Sequence, residues 1–63
     1  MNNKIKTLRE NNHLTQQELA DKLDVSRQTI ISLENGRYNP SILLAYKISK
    51  LFNLTIEEVF IFE

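Results

Sequence analysis

Apolar residues recur along this chain at intervals of three and four, broken by short polar clusters, and that spacing predicts helices throughout. Ile5 and Leu8 lie on one face of a first helix over roughly residues 3–11, which the polar run Asn11-Asn12-His13 ends. Thr15-Gln16-Gln17-Glu18 has the form of a capping box, in which the Thr15 hydroxyl accepts from the Glu18 amide while the Glu18 side chain reaches back. A second helix therefore starts near Gln16, with Leu19, Ala20 and Leu23 facing inward. Ser26 is an N-cap for a third helix that buries Ile30 and Leu33 and stops at Asn35-Gly36 by a left-handed termination. Only Asp24 and Val25 remain between helices two and three. Asn39-Pro40-Ser41 opens a fourth helix with Ile42, Ala45, Ile48, Ser49 and Phe52 as its inner stripe and Leu44 and Leu51 flanking it. Thr55-Ile56-Glu57-Glu58 is a second capping box, opening a short fifth helix through Val59 or Phe60. The expected fold class is all-α, with five helices and a short extended C-terminal tail.

Composition narrows the picture. A chain of 63 residues makes one domain, because it buries only about 60% of the surface its unfolded form exposes. A roomy buried active site is not expected. With no cysteine there is no disulfide framework and no thiolate zinc site, and a single histidine, His13, points to a surface loop and not to a metal. The polar start MNNKIKTLRENN lacks the apolar run of a secretory signal, and nowhere do about 18 apolar residues run together. The expectation is a cytoplasmic, non-membrane protein. Eight basic and eight acidic residues cancel, which counts weakly against a nucleic-acid partner. Residues 1–40, however, hold six basic side chains against five acidic ones, and a small domain binds through its local field.

The second and third helices, joined by a tight turn, have the plan of a helix-turn-helix, over residues 16–35. Ala20 is small enough to let the two helices cross closely, and Leu23, Val25, Ile30 and Leu33 lock the crossing by burial. The outer face of the third helix is left to Arg27, Gln28 and Ser32. Their chemistry suits base edges: arginine pairs in a bidentate way with guanine O6 and N7, and glutamine with adenine N6 and N7.

With these residues in place, the stretch LTQQELADKLDVSRQTIISLENGRYNPS resembles the phage Cro/repressor-type helix-turn-helix family, over residues 5 to about 60. The resemblance implies a five-helix lambda-repressor-like DNA-binding domain filling residues 1–63. It places Arg27, Gln28 and Ser32 at base-contacting positions, and it sets Gln16 against phosphate with Ser26, Thr29, Asn35 and Arg37. It also implies an ion pair between Arg9 and the Glu34 of LENG. Two positions depart from the family pattern. Asp24 stands where the turn residue is usually glycine; if φ is positive there, aspartate costs about 1 kcal/mol relative to glycine. Ser32 is shorter than the residues common at its position, so base reading would rest mainly on Arg27 and Gln28.

Plainer roles compete for several residues. Gln16 could be only the first residue after a cap, and Tyr38, in the loop after the third helix, could touch phosphate or cover the core edge. Glu57 and Glu58 are adjacent, so they point in different directions and form no catalytic carboxylate pair. No nucleophile, base and orienting group stand together, and an enzyme is not expected. The tail VFIFE puts four apolar residues at a terminus, where a run of that kind needs a burial partner. The expectation is a homodimer through about residues 51–62, with Phe60, Ile61 and Phe62 pairing as an antiparallel strand with their copies and with Val59 and Leu51 or Phe52 packed beneath. The function expected is a sequence-specific double-stranded DNA-binding transcriptional regulator, a repressor, on a palindromic operator, without cofactor, metal or small-molecule ligand. An antitoxin-like protein-interaction module with autoregulatory DNA binding is the alternative.

Overall fold

Each helix begins where a side chain can satisfy the amides that a helix N-terminus leaves unpaired. The computed structural model describes residues 2–61, in which α1 spans Ile5–Asn11, α2 Gln16–Leu23, α3 Arg27–Glu34, α4 Ile42–Phe52 and α5 Ile56–Val59. Thr15 and Thr55 form complete capping boxes with Glu18 and Glu58, while Ser26 and Ser41 accept from the amides of Thr29 and Leu44. α1 starts differently. Lys4 offers it no side-chain cap, and Asn3 accepts from the Ile5 amide through Oδ1 at 3.1 Å while its Nδ2 donates to the Leu33 carbonyl at 2.8 Å. One short side chain thereby joins the start of α1 to the last turn of α3.

The exits are left-handed at four places. His13, Asp24 and Asn53 have φ between 56° and 59°, and Gly36 has φ 73°. Asp24, at φ 58°, is thus the residue that turns α2 into α3. At the end of α3 the reversal falls on Gly36 alone, since Asn35 stays right-handed at φ −81°.

α2 packs most extensively on α3, α1 also leans on α3, and α4 lies against α2 and α5. Between them Ile5, Leu19, Leu23, Ile30, Leu33, Leu44, Ile48, Val59 and Phe60 form the core, with Ala20 and Ala45 where helices approach closely. Burying each of the large side chains contributes roughly 1.5–3 kcal/mol. No helix among the described residues is long and apolar enough to cross a membrane.

Two expectations are corrected. The inner stripe of α4 includes Leu44, and Ile42 is instead 87% exposed. Six residues separate Ile42 from the fully buried Ile48, about 240° round a helix of 3.6 residues per turn, so the two cannot share a face. The second correction concerns the dimer segment. Val59 and Phe60 are buried in the chain's own core, at 0% and 2% exposure, and cannot supply side chains to a second copy. The strand-like pairing is likewise internal: Phe60 bridges antiparallel to Asn3, Lys4 N–H donates to the Val59 carbonyl at 2.8 Å, and Ile61 N–H donates to the Asn2 carbonyl at 2.9 Å. The polar N-terminal segment is close at hand and has backbone groups to pair, so the tail finds its partner within the chain. Phe62 lies outside the described residues.

Candidate nucleic-acid interface

The arrangement of α2 and α3 decides what α3 can present. Ala20 has no exposed surface, and its carbonyl accepts from Val25 N–H at 3.0 Å, closing the turn through left-handed Asp24. Ile30 and Leu33 are fully buried beneath α3, which fixes the rotation of that helix. The first turn then faces outward, and Arg27 and Gln28 are exposed on it while Ser32 is half-buried one turn further on. No acidic residue occupies that first turn. The helix terminus and Arg27 therefore offer an anion a favourable field without local opposition.

A shallow cleft lies on either side of α3. One is lined by Arg9, Thr15, Gln16, Gln17 and Arg27. The other is lined by Ser26, Gln28, Thr29, Ser32, Arg37 and Tyr38. The structure thus brings Gln16 beside Arg27, and gathers Ser26, Thr29, Arg37 and Tyr38 around Gln28 and Ser32. Asn35 is set apart, in a cleft with Asn2, Glu34 and Ile61. Thr15 and Gln17 join the first cleft although sequence spacing marked neither as a contact; their place at the exposed start of α2, next to Gln16, was the available signal.

Several of these side chains already have partners. Ser26 Oγ accepts from Thr29 N–H at 3.2 Å and lies 2.9 Å from Thr29 Oγ1, so both hydroxyls are engaged at the cap. Gln17 Nε2 donates to Asp21 at 2.9 Å. Gln16 Nε2 donates to Glu34 Oε1 at 3.2 Å, which leaves its amide oxygen to the cleft.

Glu34 lies outside the first cleft but holds two of its residues, Arg9 and Gln16. Arg9 Nε donates to Glu34 Oε2 at 2.6 Å and Nη2 to Oε1 at 3.3 Å, while Arg9 Nη1 donates to the Leu14 carbonyl at 2.8 Å. The pair is well buried and its donors are used on several sides, which is the condition under which a buried ion pair is tolerated. The hydrogen bond to Glu34 holds the Arg9 guanidinium above its ordinary pKa, with the charges of Glu34 and Glu10 helping and burial opposing. Arg9 therefore stays charged and tied to Glu34, and Arg27 is the exposed arginine at this cleft's mouth.

Comparison with known proteins agrees with this geometry. A helix-turn-helix family pattern matches residues 5–59. The chain is 56% identical over its full length to an uncharacterized HTH-type transcriptional regulator of Methanocaldococcus jannaschii, covering 96% of that protein. It is 42% identical over 52 residues to the ImmF control region 10 kDa protein of Bacillus phage phi105, covering 82% of this chain and 58% of the phage protein. It is also 41% identical over 58 residues to the HTH-type transcriptional activator BcrR of Enterococcus faecalis, covering 92% of this chain and 28% of that one. The chain belongs to the Cro/C1-type helix-turn-helix family of DNA-binding transcriptional regulators.

Proposed function

We propose that this helix-turn-helix regulator is a sequence-specific repressor that lays α3 in the major groove of double-stranded DNA. The observation that carries the reading is the pair of long polar side chains, Arg27 and Gln28, held outward on the first turn of α3 by the buried Ile30 and Leu33 behind them. Arg27 reads guanine and Gln28 adenine through bidentate bonds, and Ser32 adds a shorter contact. Gln16, Ser26, Thr29, Arg37 and Tyr38 flank the helix in the two clefts and position the backbone phosphates, with Asn35 at the margin. Repression needs only occupancy of an operator, and the exposed face of α3 is suited to that. The setting is the cytoplasm, where such operators are reached.

The protein acts as a homodimer on a palindromic operator, because one copy meets only one half-site and a two-fold pair sets two recognition helices about 34 Å apart. With Val59 and Phe60 committed to the core and Leu51 lining a separate groove beside α4, the apolar surface left for this contact is the exposed Ile61 with the half-buried Phe52. The test is selection of bound duplexes from a random library at fixed physiological salt. Enrichment of a palindrome with guanine and adenine steps in each half-site supports the reading; recovery of unrelated sequences overturns it.

A further inference from the structure

α4 shows an outer face that neither the core nor the DNA-reading surface uses. Its exposed positions are Ile42, Leu43, Tyr46, Lys47, Lys50 and Leu51, four apolar residues and two lysines with no carboxylate among them. α2, by contrast, exposes only Gln17, Glu18, Asp21 and Lys22. Of the six large hydrophobic residues exposed among the described ones, four lie on this single face of α4. Scattered exposed apolar residues are ordinary, but a run of them on one helix marks a contact surface.

The face is shaped as well as apolar. Beside it runs a groove between the end of α2 and α4, with Tyr46 and Leu51 along it and Lys22, Lys47 and Lys50 as a basic rim; Asp24 is its one carboxylate. Lys50 Nζ stands 5.8 Å from the centre of the Tyr46 ring, which holds the ring and the charge together. The groove shares no residue with either cleft beside α3. It lies at the C-terminal end of α2, whereas Gln16 lies at the other, about 10 Å away along the axis at 1.5 Å per residue.

We propose that this groove docks an acidic, amphipathic helical segment of another protein while α3 remains free for DNA. Charge selects the occupant. Three lysines against one aspartate favour carboxylates, in a chain whose overall charge is zero. A second copy of this chain is a poor occupant, because a symmetric pairing sets the same patch against itself and brings lysine to lysine. A phosphate backbone would satisfy the lysines but give nothing to Leu43, Tyr46 and Leu51. An acidic helix with apolar residues at three- and four-residue spacing satisfies both.

The test is selection of displayed short random peptides against the full-length protein, followed by titration of the enriched peptides into isotope-labelled protein. The expected peptides combine Asp or Glu with Leu, Phe or Trp, and shift the signals of Tyr46, Lys47 and Lys50. Their affinity should fall at least tenfold in the Lys47→Glu/Lys50→Glu variant and in Tyr46→Ser. It should be unchanged in Arg27→Ala, which separates this surface from the DNA-reading one. All four substituted side chains are exposed, and a retained amide spectrum certifies the fold. Failure to enrich any binder, binders lacking acidic residues, or binding that survives the double charge reversal would overturn the proposal. So would displacement of the Tyr46 and Lys50 signals by duplex DNA, or loss of self-association in Tyr46→Ser.

Discussion

Arg9 and Glu34 fasten α1 to the last residue of α3 through a buried ion pair, with Nε 2.6 Å from Oε2 and the two side chains 11% and 4% exposed. Because Glu34 also accepts from Gln16, the same carboxylate ties the start of α2 to the end of α3. The angle at which α3 offers Arg27 is therefore held at both ends of the helix-turn-helix. Glu34→Ala leaves the Arg9 charge buried without its partner, and should destabilise the fold by roughly 3 kcal/mol. A drop of roughly 12–24 °C in the thermal midpoint follows for a domain of this size. Arg9→Met/Glu34→Leu should recover most of that loss, because both charges leave together. A calorimetric series of the single and double variants measures the coupling.

Arg27→Ala and Gln28→Ala should each weaken binding to the selected duplex by about 1–3 kcal/mol and relax preference at one base per half-site. Gln16→Ala should weaken binding to all sequences alike, since contacts to phosphate position the protein without specifying a base. Fluorescence anisotropy against single-base operator variants, at constant salt, separates the two patterns. Wild-type affinity in both α3 variants would remove the base-reading assignment.

Asp24 sits at φ 58°, where glycine has no Cβ to crowd the backbone. Asp24→Gly should raise stability by about 0.5–1 kcal/mol, the relief of left-handed strain outweighing the extra freedom that glycine gives the unfolded chain. Urea denaturation should show a higher midpoint with an unchanged slope. A lower midpoint would mean that the aspartate contributes more at this turn than its backbone costs.

Glu18 and Glu58 have carboxyls held below the usual carboxylate pKa, chiefly by the hydrogen bonds they accept from the backbone amides of Thr15 and Thr55 and then by the threonine hydroxyls. A depressed folded value means that the charged form is favoured by folding. The stabilisation is present in full above the unfolded pKa, about 4.3, and is lost as pH falls through the lower folded value. Melting of Glu18→Gln/Glu58→Gln should thus differ from wild type at neutral pH and converge on it in acid. A constant difference from neutral to strongly acidic pH would show that the capping boxes act without their charge.

Ile61 is 40% exposed beside the buried Phe60, and its backbone is already paired with Asn2. Ile61→Asp should therefore leave the fold intact and break the dimer, lowering operator affinity while each copy still binds a half-site weakly. Sedimentation at tens of micromolar reads this directly. A wild-type protein that sediments as a monomer at that concentration would end the dimer proposal.

How far the sequence reaches depends on the distance over which each feature acts. The capping boxes at Thr15 and Thr55 and the caps at Ser26 and Ser41 link residues three apart, so their partners stand beside them in the chain. Asp24 was legible for the same reason: two residues between two helices leave the backbone few routes. The outward face of α3 also followed locally, once Ile30 and Leu33 were assigned to the core. Ile42, an apolar residue in a first helical turn, reads as core by type, whereas its angular offset from Ile48, a property of the helix alone, turns it outward. The place of the tail is decided at longer range. Val59 and Phe60 carry no mark saying whether their burial partner belongs to the same chain or another, and the answer lies with Asn2, Asn3 and Lys4, more than fifty residues away. Nor does anything local to Asn3 announce that it joins α1 to the Leu33 carbonyl. Helix starts, turns and the outward side chains of α3 are set by neighbours in sequence, whereas the fate of the tail and of the Asn3 link is decided by which unpaired backbone groups and apolar surfaces meet when the helices close.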